Sequence, residues 1–156
     1  MPERFSLTSV FVYGTLMPGE RNEAVARQGG APQSKGASLD GALLCDLRPE
    51  AYPALFREGQ GRVHGHLYTY AAADWAAALP LLDDLEGLHL TPPLYRRAEV
   101  TVWAAGRQRP AWVYWYARED RRHSPGCLPV PSGRWGDVPQ RDQPGEPHAP
   151  DDGRRR

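Results

Sequence analysis

Short apolar or alternating runs recur along this chain, and few helical segments separate them. Five segments have this character: residues 9–13, 41–47, 62–70, 95–103 and 111–116. Successive parallel strands need a long crossover between them, usually a helix. Because regular crossover helices are missing, the pattern predicts an α+β fold with a small mixed or mainly antiparallel sheet. We expect this sheet to be closed or strongly curved, with one or two helices packed on it.

The helical segments are short. Residues 71–79 are rich in alanine and predict a helix. Pro80 can open a further helical turn over residues 81–86, which Gly87 would end. Another helix is expected to begin near Glu20.

Three further expectations concern a connection, a glycine within a strand and a hairpin. Residues 33–40 are small and polar, so they are expected to connect the first helix to the strand that begins at Gly41. Gly65 interrupts an alternating strand, which predicts a bulge or a close approach of another backbone segment. Residues 95–103 and 111–116, with Gly106 between them, are expected to form a hairpin.

The composition suits one soluble domain without a nucleic-acid or membrane partner. The chain has 156 residues, of which 19 are basic and 19 acidic, and this balance gives no excess of positive charge for binding phosphates. No apolar run has the pattern of a signal peptide or the length to cross a bilayer. Its two cysteines lack a metal-binding spacing and suit a reducing compartment, with a single disulfide as the alternative. We therefore expect a cytoplasmic protein.

The ends of the chain differ from its middle. Residues 137–156 contain four prolines, many charges and no aromatic residue, which predicts a disordered tail. Residues 1–8 precede the first predicted strand as an N-terminal extension. We therefore expect a single domain over residues 9–136.

The first strand ends in a glycine turn. Gly14 follows the strand, and Pro18-Gly19 is a strong turn signal shortly after it. A strand that ends in such a turn before a helix points several backbone N–H groups in one direction, where they can bind an anion or a carbonyl oxygen. The residues alone favour the simpler interpretation of an ordinary strand with a tight turn. They exclude a phosphate loop, since no Gly-Lys-Ser/Thr follows.

Glu86 is the acidic residue that points most directly to chemistry. It follows the apolar residues Leu81, Leu82 and Leu85 at the end of a predicted helix. The helix dipole is negative at that end and disfavours a carboxylate, which suits a group that takes up and releases protons as a general acid or base. A solvated acidic helix end explains the same residue in a simpler way.

Two histidines raise the question of a metal. His64 and His66 share one face of a predicted strand, as two metal ligands would. No third ligand stands at a diagnostic spacing, and no Gly-x-Ser-x-Gly turn offers a serine nucleophile. We therefore predict no metal site.

Several short segments follow one another in a characteristic order. They are Val10–Leu16 with Gly19 and Asn22, Tyr52–Ala54, Val63–Tyr68, Leu82–Gly87, Leu94–Arg97, Ala111–Tyr114 and Ser132–Trp135. This series covers residues 9 to about 136 and resembles the gamma-glutamylcyclotransferase-like family, also called AIG2-like. The Tyr-Gly-Thr-Leu turn and the Leu-Asp-x-Leu-Glu-Gly segment are its most specific parts. His66 departs from the pattern, because many members carry an acidic residue there.

The resemblance implies a small mixed β-barrel with flanking helices and a cavity at one end. It implies a cofactor-independent enzyme that acts on a small-molecule γ-glutamyl amide, whose α-amine attacks its own γ-carbonyl to release 5-oxoproline and an amine. Glu86 would be the catalytic acid/base, and the turn after the first strand would bind the glutamyl moiety. The expected substrate-binding residues are Tyr13, Gly14, Thr15, Leu16 and Tyr95.

Two alternatives use the same fold. One is a non-catalytic module that holds a small amino-acid-like ligand, since a fold does not determine a function. An open, solvated pocket would favour it. The other is an enzyme that removes a γ-glutamyl group from a specialised metabolite, which a pocket larger than the glutamyl site would favour. The sequence leaves the identity of the amine and the oligomeric state open.

Overall fold

The computed structural model describes residues 7–139, which contain six strands and two α-helices. The strands are β1 (Ser9–Val12), β2 (Gln33–Leu47), β3 (Tyr52–Thr69), β4 (Tyr95–Ala104), β5 (Arg107–Tyr116) and β6 (Cys127–Pro129). The helices are α1 (Glu23–Gln28) and α2 (Ala72–Leu85), and short 3₁₀ turns lie at Glu119–Arg121 and Trp135–Asp137.

Five of the strands close into a barrel. Their order is β3-β1-β5-β4-β2, and pairing of β2 with β3 completes the ring. β1 and β5 are parallel, and the other pairings are antiparallel. β6 pairs with the C-terminal end of β2. The structure therefore confirms the predicted α+β fold with a small mixed barrel and flanking helices.

Strands β2 and β3 are longer than the sequence pattern predicts. They pair continuously from Gln33 opposite Thr69 to Leu47 opposite Tyr52, with one irregularity between Asp40 and Ala42. The expectation that residues 33–40 form a connection was therefore wrong. Their small polar side chains are mostly exposed on the outside of the barrel, so no apolar alternation marked them as a strand, while backbone pairing holds them in one.

Helix α2 runs without a break through Pro80, so the expected second helical turn is part of a single helix. Gly87 has a φ of +69°, and its N–H donates to the carbonyl oxygen of Asp84 at 3.1 Å. Gly87 thus ends the helix as predicted. Helix α1 begins at Glu23 and not near Glu20, because hydrogen-bonded turns occupy the residues before it.

Gly65 lies on β3 against the end of β1. A Cβ atom at this position would lie 2.1 Å from the carbonyl oxygen of Val12 and 3.1 Å from the Cα of Tyr13. The predicted close backbone approach at Gly65 is confirmed, and it occurs where β1 enters the Gly14 turn.

The domain boundaries remain predictions. Leu7 and Thr8 contact the barrel, since Trp112 Nε1 donates to Leu7 O and the Tyr70 N–H donates to Thr8 O, both at 3.0 Å. Val138 is buried with 4% of its surface exposed. Most of the predicted tail, residues 140–156, lies outside the described residues.

Candidate active site

Glu86 is buried at the end of helix α2. It caps the helix, and its N–H donates to the carbonyl oxygen of Leu82 at 3.0 Å. The left-handed conformation of Gly87 then turns the chain away from the helix axis. Only 6% of Glu86 is exposed, so a solvated helix end does not describe it. Removing a carboxylate from water is costly, and its burial at this position calls for a function.

The turn after β1 is held by hydrogen bonds to its carbonyl groups. Gly14 O accepts from the Met17 N–H at 3.1 Å, and Thr15 O accepts from the Asn22 N–H at 2.8 Å. Leu16 O accepts from the phenol of Tyr68 at 2.7 Å. Within residues 7–139, the N–H groups of Gly14, Thr15 and Leu16 donate to no backbone carbonyl. The turn therefore directs its acceptors into the protein and keeps three consecutive donors for another partner.

The side chain of Asn22 reinforces this arrangement. Its Nδ2 donates to Thr15 Oγ1 at 3.0 Å, and both residues are buried. A conformation fixed in advance costs less to order when a ligand binds, so the turn is suited to hold an anion or a developing oxyanion.

A small cavity joins the turn to Glu86. It has a volume of about 20 Å³, and its lining residues are Phe11, Val12, Tyr13, Gly14, Thr15, Leu16, Pro53, Glu86 and Tyr114. The structure therefore brings together five of the six residues expected at the site. Tyr95 is not among the lining residues. Its phenol donates to the carbonyl oxygen of Pro53 at 2.6 Å, which puts it one contact behind the cavity wall.

Sequence reasoning missed a polar cluster beside the cavity. Tyr114 Oη donates to Asp83 Oδ1 at 2.7 Å, and Arg97 forms an ion pair with the same carboxylate. Arg97 and Tyr114 are direct partners in the β4–β5 register, and Asp83 lies three residues before Glu86 on the same side of the helix end. The sequence predicts both strands, but only their exact register shows that Arg97 stands opposite Tyr114.

The chemical state of Tyr114 follows from its surroundings. Burial, the hydrogen bond to Asp83 and the negative charges of Asp83 and Glu86 raise the pKa of its phenol far above the usual value. Tyr114 therefore remains protonated at every physiological pH. Its own backbone carbonyl oxygen accepts from the phenol of Tyr13 at 2.5 Å, which fixes Tyr13 against β5.

His64 and His66 lie away from this cavity, in an outer groove that Ser38, Trp103 and Arg134 also line. Burial lowers the pKa of both imidazoles, and the charges of Arg134 and Arg62 lower that of His64 further. No group of three possible metal-ligating side chains occurs among residues 7–139. The helices in the same range are all too short or too polar to cross a membrane.

Comparison with known proteins connects this geometry with a family. Residues 10–137 match the family model described as "Gamma-glutamyl cyclotransferase, AIG2-like". The chain belongs to this family. The resemblance noted in the sequence is thereby confirmed, and the Gly14 turn and Glu86 both lie within the matched segment.

One relative and two solved structures are similar to this chain. The chain is 32% identical over 120 residues to the "Gamma-L-glutamyl-butirosin B gamma-glutamyl cyclotransferase" of Niallia circulans, covering 75% of this chain and 72% of that protein. An AIG2-like protein from Mus musculus has a TM-score of 0.57 at 24% identity, over 74% of this chain and 82% of that one. YkqA from Bacillus subtilis has a TM-score of 0.58 at 22% identity, over 83% of this chain but 40% of YkqA. The two structures support the fold.

Proposed function

We propose that this protein cleaves a γ-glutamyl amide by intramolecular cyclisation and releases 5-oxoproline and an amine. One observation carries the proposal: Glu86, which is buried, lines the same small cavity as Gly14, Thr15 and Leu16 of the turn. A γ-glutamyl group carries an α-carboxylate for the N–H groups and an α-ammonium for the carboxylate. The proposal also agrees with the family to which the chain belongs.

In this mechanism the nucleophile belongs to the substrate. Glu86 takes a proton from the α-ammonium group, and the free amine attacks the γ-carbonyl carbon to form the C–N bond of the five-membered ring. The proton then passes from Glu86 to the departing nitrogen as the original amide C–N bond breaks. The ring nitrogen gives up its second proton in the same step, and the released amine takes it up as an ammonium group. Because nucleophile and electrophile are tethered, holding the chain in a folded conformation supplies much of the rate.

The remaining side chains have supporting roles in the proposal. The N–H groups of Gly14, Thr15 and Leu16 bind the α-carboxylate or the oxyanion that develops on the γ-carbonyl, and one oxyanion donor typically contributes about 10²–10³-fold in rate. Tyr13 lines the cavity, where its phenol is oriented by the Tyr114 carbonyl. Tyr95 contributes through Pro53, whose carbonyl it holds.

The size of the cavity bears on the substrate. With about 20 Å³, it has room for about one water molecule, so its walls must move apart to admit a glutamyl group and the amine portion would extend outside it. Removal of a γ-glutamyl group from a specialised metabolite gains no support from the size of the cavity; its support is the relative from Niallia circulans, which is named for gamma-L-glutamyl-butirosin B. A binding module that holds an amino-acid-like ligand gains no support from the small cavity and the buried carboxylate.

Release of 5-oxoproline from a panel of γ-glutamyl amides tests the proposal. The panel contains γ-glutamyl dipeptides, γ-glutamyl amines derived from lysine, and a γ-glutamylated aminoglycoside. We expect Glu86→Gln to lower kcat by about 10²–10⁴-fold, the usual contribution of general acid–base catalysis. Asp84→Asn is the matched control, because this neighbouring carboxylate is 76% exposed in its side chain and pairs with His89.

The outcomes separate reaction class from residue role. Loss of release in Glu86→Gln, with Asp84→Asn close to the wild type, supports both. If Glu86→Gln still releases 5-oxoproline, the proposed reaction stands but Glu86 is not its acid/base. A wild-type protein that releases no 5-oxoproline from any member of the panel contradicts the proposed function.

A further inference from the structure

The phenol of Tyr114 donates its proton to Asp83, which is not among the residues that line the cavity. Tyr114 is 3% exposed, and its Oη donates to Asp83 Oδ1 at 2.7 Å. An ionised carboxylate can only accept hydrogen bonds, and a phenol has one proton to give. The bond therefore has one possible direction as long as Asp83 is charged.

Arg97 is the cation paired with Asp83. Its guanidinium group pairs with the Asp83 carboxylate, and the two side chains are only 24% and 27% exposed. Arginine remains charged at all relevant pH values, so it stabilises the negative charge of Asp83. The phenol oxygen of Tyr114, at the end of the series Arg97–Asp83–Tyr114, can therefore only accept a further hydrogen bond.

A phenol oxygen that can only accept suits the α-ammonium group of the substrate, which the proposed mechanism places near Glu86. Tyr114 and Glu86 line the same cavity, and the negative charge of Glu86 is one cause of the raised pKa of the Tyr114 phenol. An α-ammonium group has three donors and no acceptor. Glu86 can take one of its protons, and a second neutral acceptor is needed to orient the nitrogen once that proton has left.

We propose that Tyr114 Oη accepts a hydrogen bond from the α-ammonium group of the substrate, and that Asp83 and Arg97 are positioning residues that fix the direction of this phenol. The inference rests on the proposed function, because it assigns a partner to the same site. After Glu86 takes its proton, the bond to Tyr114 holds one remaining N–H, and the nitrogen lone pair is left free to face the γ-carbonyl carbon.

L-glutamate and glutarate provide a test, because they differ only in the α-ammonium group. Isothermal titration gives the Kd of each, and their ratio reports recognition of the ammonium group. We expect the wild type to prefer L-glutamate, and Tyr114→Phe to reduce that preference about tenfold, the low end for a hydrogen bond to a charged group. Asp83→Asn offers the phenol an amide that can donate as well as accept, so the direction of the phenol is no longer fixed and the preference should fall in the same direction.

Tyr70→Phe is the matched control. Tyr70 is also 3% exposed and donates its phenol proton to a buried partner, Ala26 O, at 2.7 Å, but it does not line the cavity. A purely structural loss weakens both ligands equally and leaves the ratio unchanged, so a lower ratio in Tyr114→Phe with a wild-type ratio in Tyr70→Phe supports the inference.

Two results would overturn it. An unchanged ratio in Tyr114→Phe, in a protein whose wild type releases 5-oxoproline, removes the role of Tyr114 and leaves the proposed function intact. A wild type that binds both ligands equally, or neither, shows that the cavity does not recognise the ammonium group. Release of 5-oxoproline is measured separately, so failure of the proposed function is recognised by its own assay.

Discussion

At the scale of single residues, Gly14 links the first strand to the wall of the candidate site. A Cβ atom here would lie 2.4 Å from Pro53 Cγ, inside any tolerated contact. Pro53 in turn is held by the phenol of Tyr95 through its carbonyl oxygen, so it has little freedom to withdraw. The absence of a side chain therefore lets the donor-bearing turn pack directly against Pro53.

We expect Gly14→Ala to destabilise the protein by about 1–3 kcal/mol, the usual cost of overpacking, and to lower turnover because the turn must shift away from Pro53. Urea unfolding and 5-oxoproline release measure the two effects. Gly36→Ala is the control, since a Cβ at Gly36 has no neighbour within 4 Å. Equal stability of the two variants would contradict the packing argument.

The site residues differ in how far the sequence could predict them. The Gly14 turn and Glu86 are encoded locally, by a glycine after a strand and an acid at a helix end, and the family resemblance gave them roles. Tyr114 could not be found in this way. Its importance depends on Arg97 standing opposite it and on Asp83 reaching it from a helix 31 residues earlier in the chain.

At the scale of elements, helix α2 contains a proline that the fold tolerates. Pro80 lacks the N–H that would donate to the carbonyl oxygen of Ala76, and its ring crowds the preceding turn. Both residues are exposed, so water can satisfy the freed carbonyl. The helix remains continuous because Trp75, Ala78 and Leu82 are buried along its inner face.

Pro80→Ala should stabilise the protein by up to about 3 kcal/mol, the difference in helix propensity between the two residues. A rise in Tm by calorimetry is the measurement, and the position of Glu86 should be unaffected because Gly87 still ends the helix. Ala76→Gly, at an exposed site of the same helix, should instead lower stability by about 1 kcal/mol. A fall in Tm for Pro80→Ala would mean that the proline shapes the helix.

The long strands show where local pattern fails. Residues 33–36 are exposed and belong to a strand, because pairing with β3 satisfies their backbone groups irrespective of what the side chains contact. By contrast, β4 and β5 each bury apolar and aromatic side chains, and the predicted hairpin between them is confirmed by their antiparallel register. Prediction succeeded where one face of a strand is buried and failed where neither is.

At the scale of the whole molecule, several buried groups bind protons more tightly in the folded state. Burial raises the pKa of Tyr70 from 10.0 to about 12. Burial, together with the neighbouring thiol of Cys127, raises the pKa of Cys45 from 9.0 to about 12. Both groups are neutral when protonated, so their full contribution to stability is present below the unfolded pKa values.

We therefore expect the free energy of unfolding to fall as the pH rises from about 9 towards 12, with a slope of up to about 1.4 kcal/mol per pH unit for each group. Urea unfolding at a series of pH values measures the slope. Tyr70→Phe should reduce it between pH 10 and 12, while costing about 1 kcal/mol at pH 7 through the lost hydrogen bond to Ala26. An identical slope in the variant would rule out Tyr70 as a source.

The sequence by itself determined the local features of this protein: the apolar strands, the glycine turn after the first of them, the helix that ends at Gly87, and the family to which they point. These features depend on side-chain periodicity and on backbone conformations of neighbouring residues. Only the tertiary structure decided how the barrel closes and what surrounds Glu86. The bond from Tyr13 to the Tyr114 carbonyl joins residues 101 positions apart, and no local pattern specifies a contact made only when the barrel closes.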